Sequence, residues 1–472
     1  MTLEKDIREP LLPFGALQSH PKKSLQSKPR NERRCCIDHM TFVLLLAVAI
    51  WIAMVINFFL PQTFHRDLQL IPTSLRKCAW ASLEQHASLL DVKPIAREEF
   101  LERQSILAVA LERAGVDAFI AEPSASTAYF TNISSSFELS ERPFLVILDK
   151  RGHASLLVPK FEIGRITALD MVFEEKRVIE WREEESAYGV LVKKTGYKKI
   201  MLDEHARFMI AAGLQANGVE VLPTSLDIQS LRAVKSEKEL DILRGVNEFT
   251  VQLVRSLQTC ISVGMSQETI VEAASGLFTQ AGVGAGFWSI ILFGEQAANP
   301  HGGGKGRVLQ DGEFVLVDIG TSLHSYGSDV TRTILPAKSK VSKELMDVWH
   351  LVHDAQSAAI ERMNVNETCS VVDEAARKVI REKGYGEFFT HRLGHGLGLE
   401  MHEHPYLNGV NGEKLKMGKV VTNEPGIYVT SAQAAKLGKP AGFGVRIEDA
   451  VLVTEKGGVV MTGSRAISPY EP

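Results

Sequence analysis

The chain has 472 residues, 45% of them hydrophobic and 23% charged, which suits a folded protein of two or three domains. The formal net charge is -4 and the isoelectric point about 6.4. This mildly acidic balance argues against a nucleic-acid binder, whose surface is usually basic.

In chain order, residues 1–40 read as a basic tail and residues 41–60, TFVLLLAVAIWIAMVINFFL, as a transmembrane helix without a charge. Twenty helical residues rise about 30 Å, the thickness of bilayer hydrocarbon. Some forty residues precede the segment, too many for an ordinary cleaved signal. Lys22, Lys23, Lys28, Arg30, Arg33 and Arg34 stand before it, and Arg66, Arg76 and Lys77 after it. The richer side stays cytosolic, so the expected topology is single-pass, with the N-terminus cytosolic and the remainder lumenal or extracellular. Cys35 and Cys36 adjoin the segment as candidate palmitoylation sites or plain thiols. Cys78, Cys260 and Cys369 fall beyond it, an odd number, so at least one is free or pairs between chains. Asn132 and Asn366 begin glycosylation acceptor patterns.

Residues 61–92 read as a linker ending in a short helix, and 93–230 as a first α/β unit. That unit has an amphipathic helix over 97–114, two strands around a turn within 143–160, and a strand at 198–203. The second unit, 231–472, opens with a helix over 236–257 that Ser236 and Glu239 cap. Helices are expected from Ser266 to about 279, over 342–363 and over 370–383. The strands FVLVDIG, SDVTRTIL, KVVTNEPGIYV and GVRIEDAVLVT alternate with these helix pairs, giving an α+β domain of two related halves.

Four carboxylates interrupt or end those apolar strands: Asp318, Asp329, Glu424 and Glu448. A buried, unpaired carboxylate is costly. One alone would read as a strand end facing water. Four, with the glycine-flanked His395 between them, point to a shared metal site, because oxygen ligands and one imidazole suit Mn, Co, Fe or Zn. Four carboxylates balance two dications, and such a pair clamps both oxygens of a tetrahedral intermediate.

VDIG…SDVTRT, GHGLGLEMHEHP, NEPGIY and VRIEDAVLVT resemble the metal-binding blocks of the Xaa-Pro aminopeptidase, prolidase, creatinase and methionine aminopeptidase superfamily. The resemblance covers residues 95–472 and comes nearest to the proline-specific branch. It implies a smaller creatinase-like N-terminal domain followed by a pita-bread catalytic domain, α+β overall.

It further implies that Asp318 chelates one metal, that Asp329 and Glu448 bridge two, and that His395 and Glu424 complete the second. The cofactor is then two divalent ions, Mn foremost, with Co or Zn as alternatives. Glu424 resembles the general base. His402 and His301 resemble substrate-side histidines acting in catalysis and binding, and His391 a histidine of the proline-specific branch. Arg446 resembles the arginine that supports the bridging glutamate. Tyr428 is expected to pack near the site, while Glu403 and His404 are expected at its rim. GGGKG, residues 302–306, lacks the order of a phosphate loop and reads as a substrate-side loop.

The implied function is removal of the N-terminal residue from peptides with proline second. A dipeptidase acting on Xaa-Pro, a specialised amide hydrolase and a non-catalytic interaction module are the alternatives. Between Pro405 and Val421 there is no arginine to hold a dipeptide's carboxylate, which favours the aminopeptidase. The resemblance also implies a homodimer, and the expected partners are a peptide substrate and a membrane.

Overall fold

A computed structural model describes residues 75–472, apart from 138–139, 168, 174–176 and 440. The expected membrane helix over 41–60, the basic tail and the two membrane-proximal cysteines lie outside the described residues. Among the described residues, no helix is long and apolar enough to cross a membrane.

The first unit is a six-stranded sheet. Its strands are β1 (Ala118–Ala121), β2 (Leu145–Asp149), β3 (Ala154–Pro159), β4 (Arg177–Trp181), β5 (Lys199–Leu202) and β6 (Glu220–Pro223). The spatial order is β4-β3-β2-β1-β5-β6. The turn inferred from sequence joins β2 to β3, which pair antiparallel, while β1, β5 and β6 run parallel. Alternate residues leave the sheet on opposite faces. Phe119, Val146 and Leu156 enter one core, and Ile120, Ile147 and Leu157 enter another.

The second unit has the strands β7 (Trp288–Phe293), β8 (Val315–Gly320), β9 (Ser322–Leu323), β10 (Tyr326–Gly327), β11 (Val330–Ile334), β12 (Gly394–Gly396), β13 (Glu403–Leu407), β14 (Val420–Asn423), β15 (Gly426–Val429), β16 (Phe443–Arg446), β17 (Asp449–Thr454) and β18 (Gly457–Val460). They form sheets in the orders β11-β8-β7 and β13-β12-β14-β17-β18, with the two-stranded pairs β10-β9 and β15-β16. The helices Glu237–Gln258 and Gln267–Gln280 cover one hydrophobic core. Lys343–Ile360 and Cys369–Glu382 cover a second. Ser236 and Glu239 form the expected capping box, which satisfies two end N–H groups reciprocally. Strands β14 and β17 serve both cores: Val420 and Ala450 turn to the first, Val421 and Val451 to the second.

Two apparent strands prove to be broken. KVVTNEPGIYV divides into β14 and β15, and GVRIEDAVLVT into β16 and β17. The outer halves pair with each other, β14 with β17, and the inner halves do the same, β15 with β16. Pro425 lacks the N–H that would continue the first ladder.

Residues 75–83 form a helix, followed by a 3-10 turn over Glu84–Leu90. Leu75, Ala79 and Leu83 are buried in the first core of the second unit, so the described end of the stretch read as linker packs with that unit. A disulfide joins Cys78 to Cys260 across 182 residues. Cys369, the odd cysteine, is free and buried.

Candidate active site

Four carboxylates and one imidazole meet where the broken strands change sheets. Asp318 lies within β8, whose neighbours Val317 and Ile319 enter the first core, so the pleat turns Asp318 the other way. Asp329 precedes β11, and its N–H donates to Asn247 Oδ1 at 3.1 Å. Glu424 occupies the break between β14 and β15, and Glu448 the break between β16 and β17. His395 is the centre of β12.

The glycines around His395 have a steric reason. A Cβ on Gly394 would lie 2.0 Å from the Thr422 carbonyl oxygen, and one on Gly396 2.4 Å from that of His404. Only glycine lets β12 sit this close to β14 and β13. His395 Nδ1 lies 3.1 Å from its neighbour Gly396's carbonyl oxygen. That oxygen only accepts, so Nδ1 carries a proton and Nε2 faces the site. Nε2 is 3.2 Å from Glu424 Oε1 and 3.6 Å from Asp329 Oδ2.

A single network braces the opposite side. Arg446 donates from Nη2 to Asp318 Oδ2 at 2.6 Å, from Nε to Thr331 Oγ1 at 3.0 Å and from Nη1 to the Tyr428 hydroxyl oxygen at 2.8 Å. The Thr331 hydroxyl in turn donates to Glu448 Oε2 at 2.6 Å. Tyr428 O–H donates to His391 Nε2 at 2.8 Å, since His391 Nδ1 is committed to the Arg392 carbonyl oxygen at 2.7 Å.

The donor set fits divalent cations. Asp318, Asp329 and Glu448 place ligand atoms within 4.8 Å of one another, as do His395, Glu424 and Glu448. Asp318 Oδ1 and Glu448 Oε1 are buried with no hydrogen-bond partner, a cost that a cation between them would remove. Burial pushes Asp329 and Glu448 well above the carboxylate range, and their acidic neighbours add to it, Asp318 for Asp329 and Asp329 for Glu448. Burial and Glu424 also raise Asp318, against the pull of Arg446. Glu424 goes the other way: burial would raise it, but the hydrogen bond and charge of His395 hold it at about 2. Crowded acids that resist ionising together are the signature of an oxygen site built around positive charge.

The site floors a cleft of about 1040 Å³. His301, His391 and His402 all line it, with Trp288, Ile290 and Arg392. The His402 ring meets His395 edge-on at 4.2 Å between centroids. Burial and the neighbouring His395 hold His402 down at about 4. Gly302 also lines the cleft. Glu403 is not at the rim: it is buried and ion-paired with Lys235. His404 is half-buried, its ring against Tyr406.

Sequence reasoning missed Thr331, although it stands two residues after Asp329 and so shares its side of the strand. It also missed Arg392 and the wall made by Trp288 and Ile290. Strand β7, which carries that wall, is not among the expected strands, although WSIILF between Gly286 and Gly294 has the aromatic and β-branched composition of one.

Comparison with known proteins agrees with this layout. The profile of "Metallopeptidase family M24" matches residues 241–455, and that of "Creatinase/Prolidase N-terminal domain" matches residues 103–234. An "Uncharacterized peptidase" of Schizosaccharomyces pombe is 41% identical over 460 residues, covering 94% of this chain and 96% of its own. The crystal structure of recombinant prolidase from Thermococcus sibiricus is similar at 27% identity and TM-score 0.68, over 79% of this chain and 98% of that one. That of X-Pro aminopeptidase from Thermotoga maritima is similar at 27% identity and TM-score 0.64, over 76% and 97%. With its donor set in place and a creatinase/prolidase N-terminal domain ahead of it in the sequence, this chain belongs to metallopeptidase family M24 and is a peptidase.

Proposed function

We propose that this chain is an Xaa-Pro aminopeptidase, hydrolysing the bond before a proline in second position with two divalent cations. The observation that carries the reading is the convergence of Asp318, Asp329, His395, Glu424 and Glu448, with two of their oxygens buried and unpartnered. Asp318, Asp329 and Glu448 would hold one cation, and His395 and Glu424 would complete the other. Hard oxygens with a single imidazole favour Mn, then Co or Zn. When bound, such a pair acidifies water and polarises a carbonyl.

The chain's own groups supply the remainder. A Glu424 carboxylate oxygen takes the proton of the attacking water, and that proton passes to the leaving proline nitrogen. His402 presents an imidazole N–H to the scissile carbonyl oxygen, and His301 lines the cleft beside the substrate. His391, fixed by Tyr428 and the Arg392 carbonyl, helps shape the proline pocket. Arg446 holds Asp318 directly and Glu448 through Thr331. Proline amides offer no N–H, so shape and apolar contact with Trp288 and Ile290 take over part of the recognition.

One observation favours a second reading, the Xaa-Pro dipeptidase: Arg392 lines the cleft and could serve a free carboxylate. We also propose that residues 41–60 anchor the chain with its N-terminus cytosolic and that the catalytic domain works in an oxidising compartment. The Cys78–Cys260 bond supports this, because disulfides persist there. A homodimer is proposed on the family habit alone, and sedimentation tests it.

The deciding experiment strips the full chain of metal in detergent, reloads it with Mn, and offers Xaa-Pro dipeptides beside Xaa-Pro-Yaa peptides. Cleavage of the longer peptides, lost in Glu424→Gln, supports the aminopeptidase. Cleavage of dipeptides alone moves the assignment to dipeptidase. Two bound equivalents without cleavage point to a specialised hydrolase, and failure to bind metal to an interaction module.

A further inference from the structure

His402 stands on irregular backbone, residues 397–402, between β12 and β13. Its exposed ring makes no hydrogen bond among the described residues, so its aim depends on the backbone beneath it. The catalytic domain holds the start of this segment. Leu397 is buried in that domain's first core, and the Gly398 carbonyl oxygen accepts from the Gly327 N–H at 2.8 Å. The next anchors come from the N-terminal domain. Leu399 packs against the core built by Phe119, Val146 and Leu156. Glu400 accepts from the Arg232 guanidinium and lies 3.1 Å from His205 Nε2. Arg232 belongs to the helix Leu226–Ala233, where the Leu231 carbonyl oxygen accepts from the Tyr129 hydroxyl at 2.8 Å. His205 follows β5. Neither Arg232 nor Glu400 lines the catalytic cleft.

Glu204, His205 and Glu400 bring ligand atoms within 4.8 Å of one another, a spacing that would suit a cation. Arg232 already fills that place. It pairs with Glu400 and approaches Glu204 at 3.8 Å, and a metal ion would meet its positive charge. The guanidinium is buried, and its Nη1 finds no acceptor. A buried charge with an idle nitrogen is a weak source of stability. What it supplies is geometry, because a planar guanidinium holds a carboxylate at a fixed distance and angle. A catalytic group displaced by about 1 Å can lose about 100-fold in rate.

We propose that Arg232 is a positioning residue: through Glu400 it fixes the segment that aims His402 at the substrate. The N-terminal domain thereby contributes to bond cleavage through a residue outside the cleft. This role rests on the part given to His402 in the Xaa-Pro reading above.

The test compares the Mn-loaded full chain with Arg232→Gln, Arg232→Lys, Glu400→Gln and His402→Gln on Ala-Pro and Ala-Pro-Ala. Arg232→Gln and Glu400→Gln are each combined with His402→Gln as well. Each of these two alone should lower kcat by about 10- to 100-fold on the peptide that wild type cleaves, with KM within about threefold and Mn content unchanged. Arg232→Lys should recover part of the loss. In the His402→Gln background either substitution should cost less than about twofold, because the imidazole through which it acts is gone. Glu400 is half-buried, so Glu400→Gln carries the comparison if Arg232→Gln does not fold. Losses that multiply in the double variants would overturn the proposal and make the pair merely structural. So would wild-type kcat in the folded single variants, or loss of their Mn. Wild-type turnover in His402→Gln would overturn the role of His402, and this proposal with it. A wild-type chain that cuts neither peptide defeats the Xaa-Pro reading itself, and the proposal falls with that reading.

Discussion

Glu403→Gln should destabilise the fold by about 3 kcal/mol. Lys235 and Glu403 bury their side chains to 1% and 3% exposure, and their ion pair joins the start of the catalytic domain to β13. A hydrogen bond between charged groups contributes about 1.5–3 kcal/mol. Stranding one buried charge costs about 3–5 kcal/mol. The Lys235 ammonium keeps two acceptors after the substitution, the carbonyls of Arg232 at 3.0 Å and Ala233 at 3.3 Å, which places the expected loss at the overlap of the two ranges. The assay is equilibrium chemical unfolding of the full chain, with the double variant Lys235→Met/Glu403→Leu measured alongside. Two apolar side chains of similar volume need no partner, so the double variant should regain most of the loss. A Glu403→Gln change below about 0.5 kcal/mol, the scale of ordinary surface substitutions, would refute the reasoning. So would a double variant no more stable than the single.

Gly396→Ala places a Cβ 2.4 Å from the His404 carbonyl oxygen and must shift β12. A displacement near 1 Å is expected to lower kcat about 100-fold, and wild-type turnover would contradict the steric account. Replacing Cys78 and Cys260 by Ser opens a loop spanning 182 residues. Chain entropy sets the upper limit of the loss at about 5 kcal/mol, and unfolding midpoints unchanged by reductant would count against the bond. Burial and nearby Glu413 push the Cys369 thiol up to about 12, so at pH 8 it is neutral and resists alkylation until the chain unfolds. Mass-spectrometric mapping of maleimide labelling checks this, and rapid native labelling would contradict it. Asn132 and Asn366 are both exposed. Under the proposed topology, chains made in a secretory pathway should shrink on glycosidase treatment, and Asn132→Gln/Asn366→Gln chains should not. A wild-type chain with no glycan would count against that topology.

The long amphipathic helices were legible because their periodicity and caps are local. Ser236 with Glu239, and Gly115 in the left-handed conformation after Ala114, mark their ends within a few residues. The strand breaks at Glu424 and Glu448 were not legible. Each lies within a run of hydrophobes that reads as one strand; Pro425 marks the first break only in hindsight, and at the second the partner strands alone decide where the ladder stops. The five converging donors stood out because carboxylates in apolar strands are costly, a one-dimensional signal. Thr331 and Arg392 gave no comparable signal, since a threonine in a strand and an arginine in a loop are ordinary. Their interest comes from what surrounds them in three dimensions, Glu448 and Arg446 for the first and the catalytic cleft and the Tyr406 ring for the second.

Under the proposed topology, the helix over 75–83 changes what it means to detach this enzyme from the membrane. A protease cutting the stretch 84–96 would sever the backbone and release nothing, because the Cys78–Cys260 bond still joins the two pieces. A fragment made to begin after that helix would expose the apolar groove that Leu75, Ala79 and Leu83 fill and leave Cys260 as a bare thiol. Under the proposed topology, shedding of an intact peptidase therefore requires a cut upstream of residue 75. A cut downstream releases the enzyme only after reduction, and then with part of its core missing.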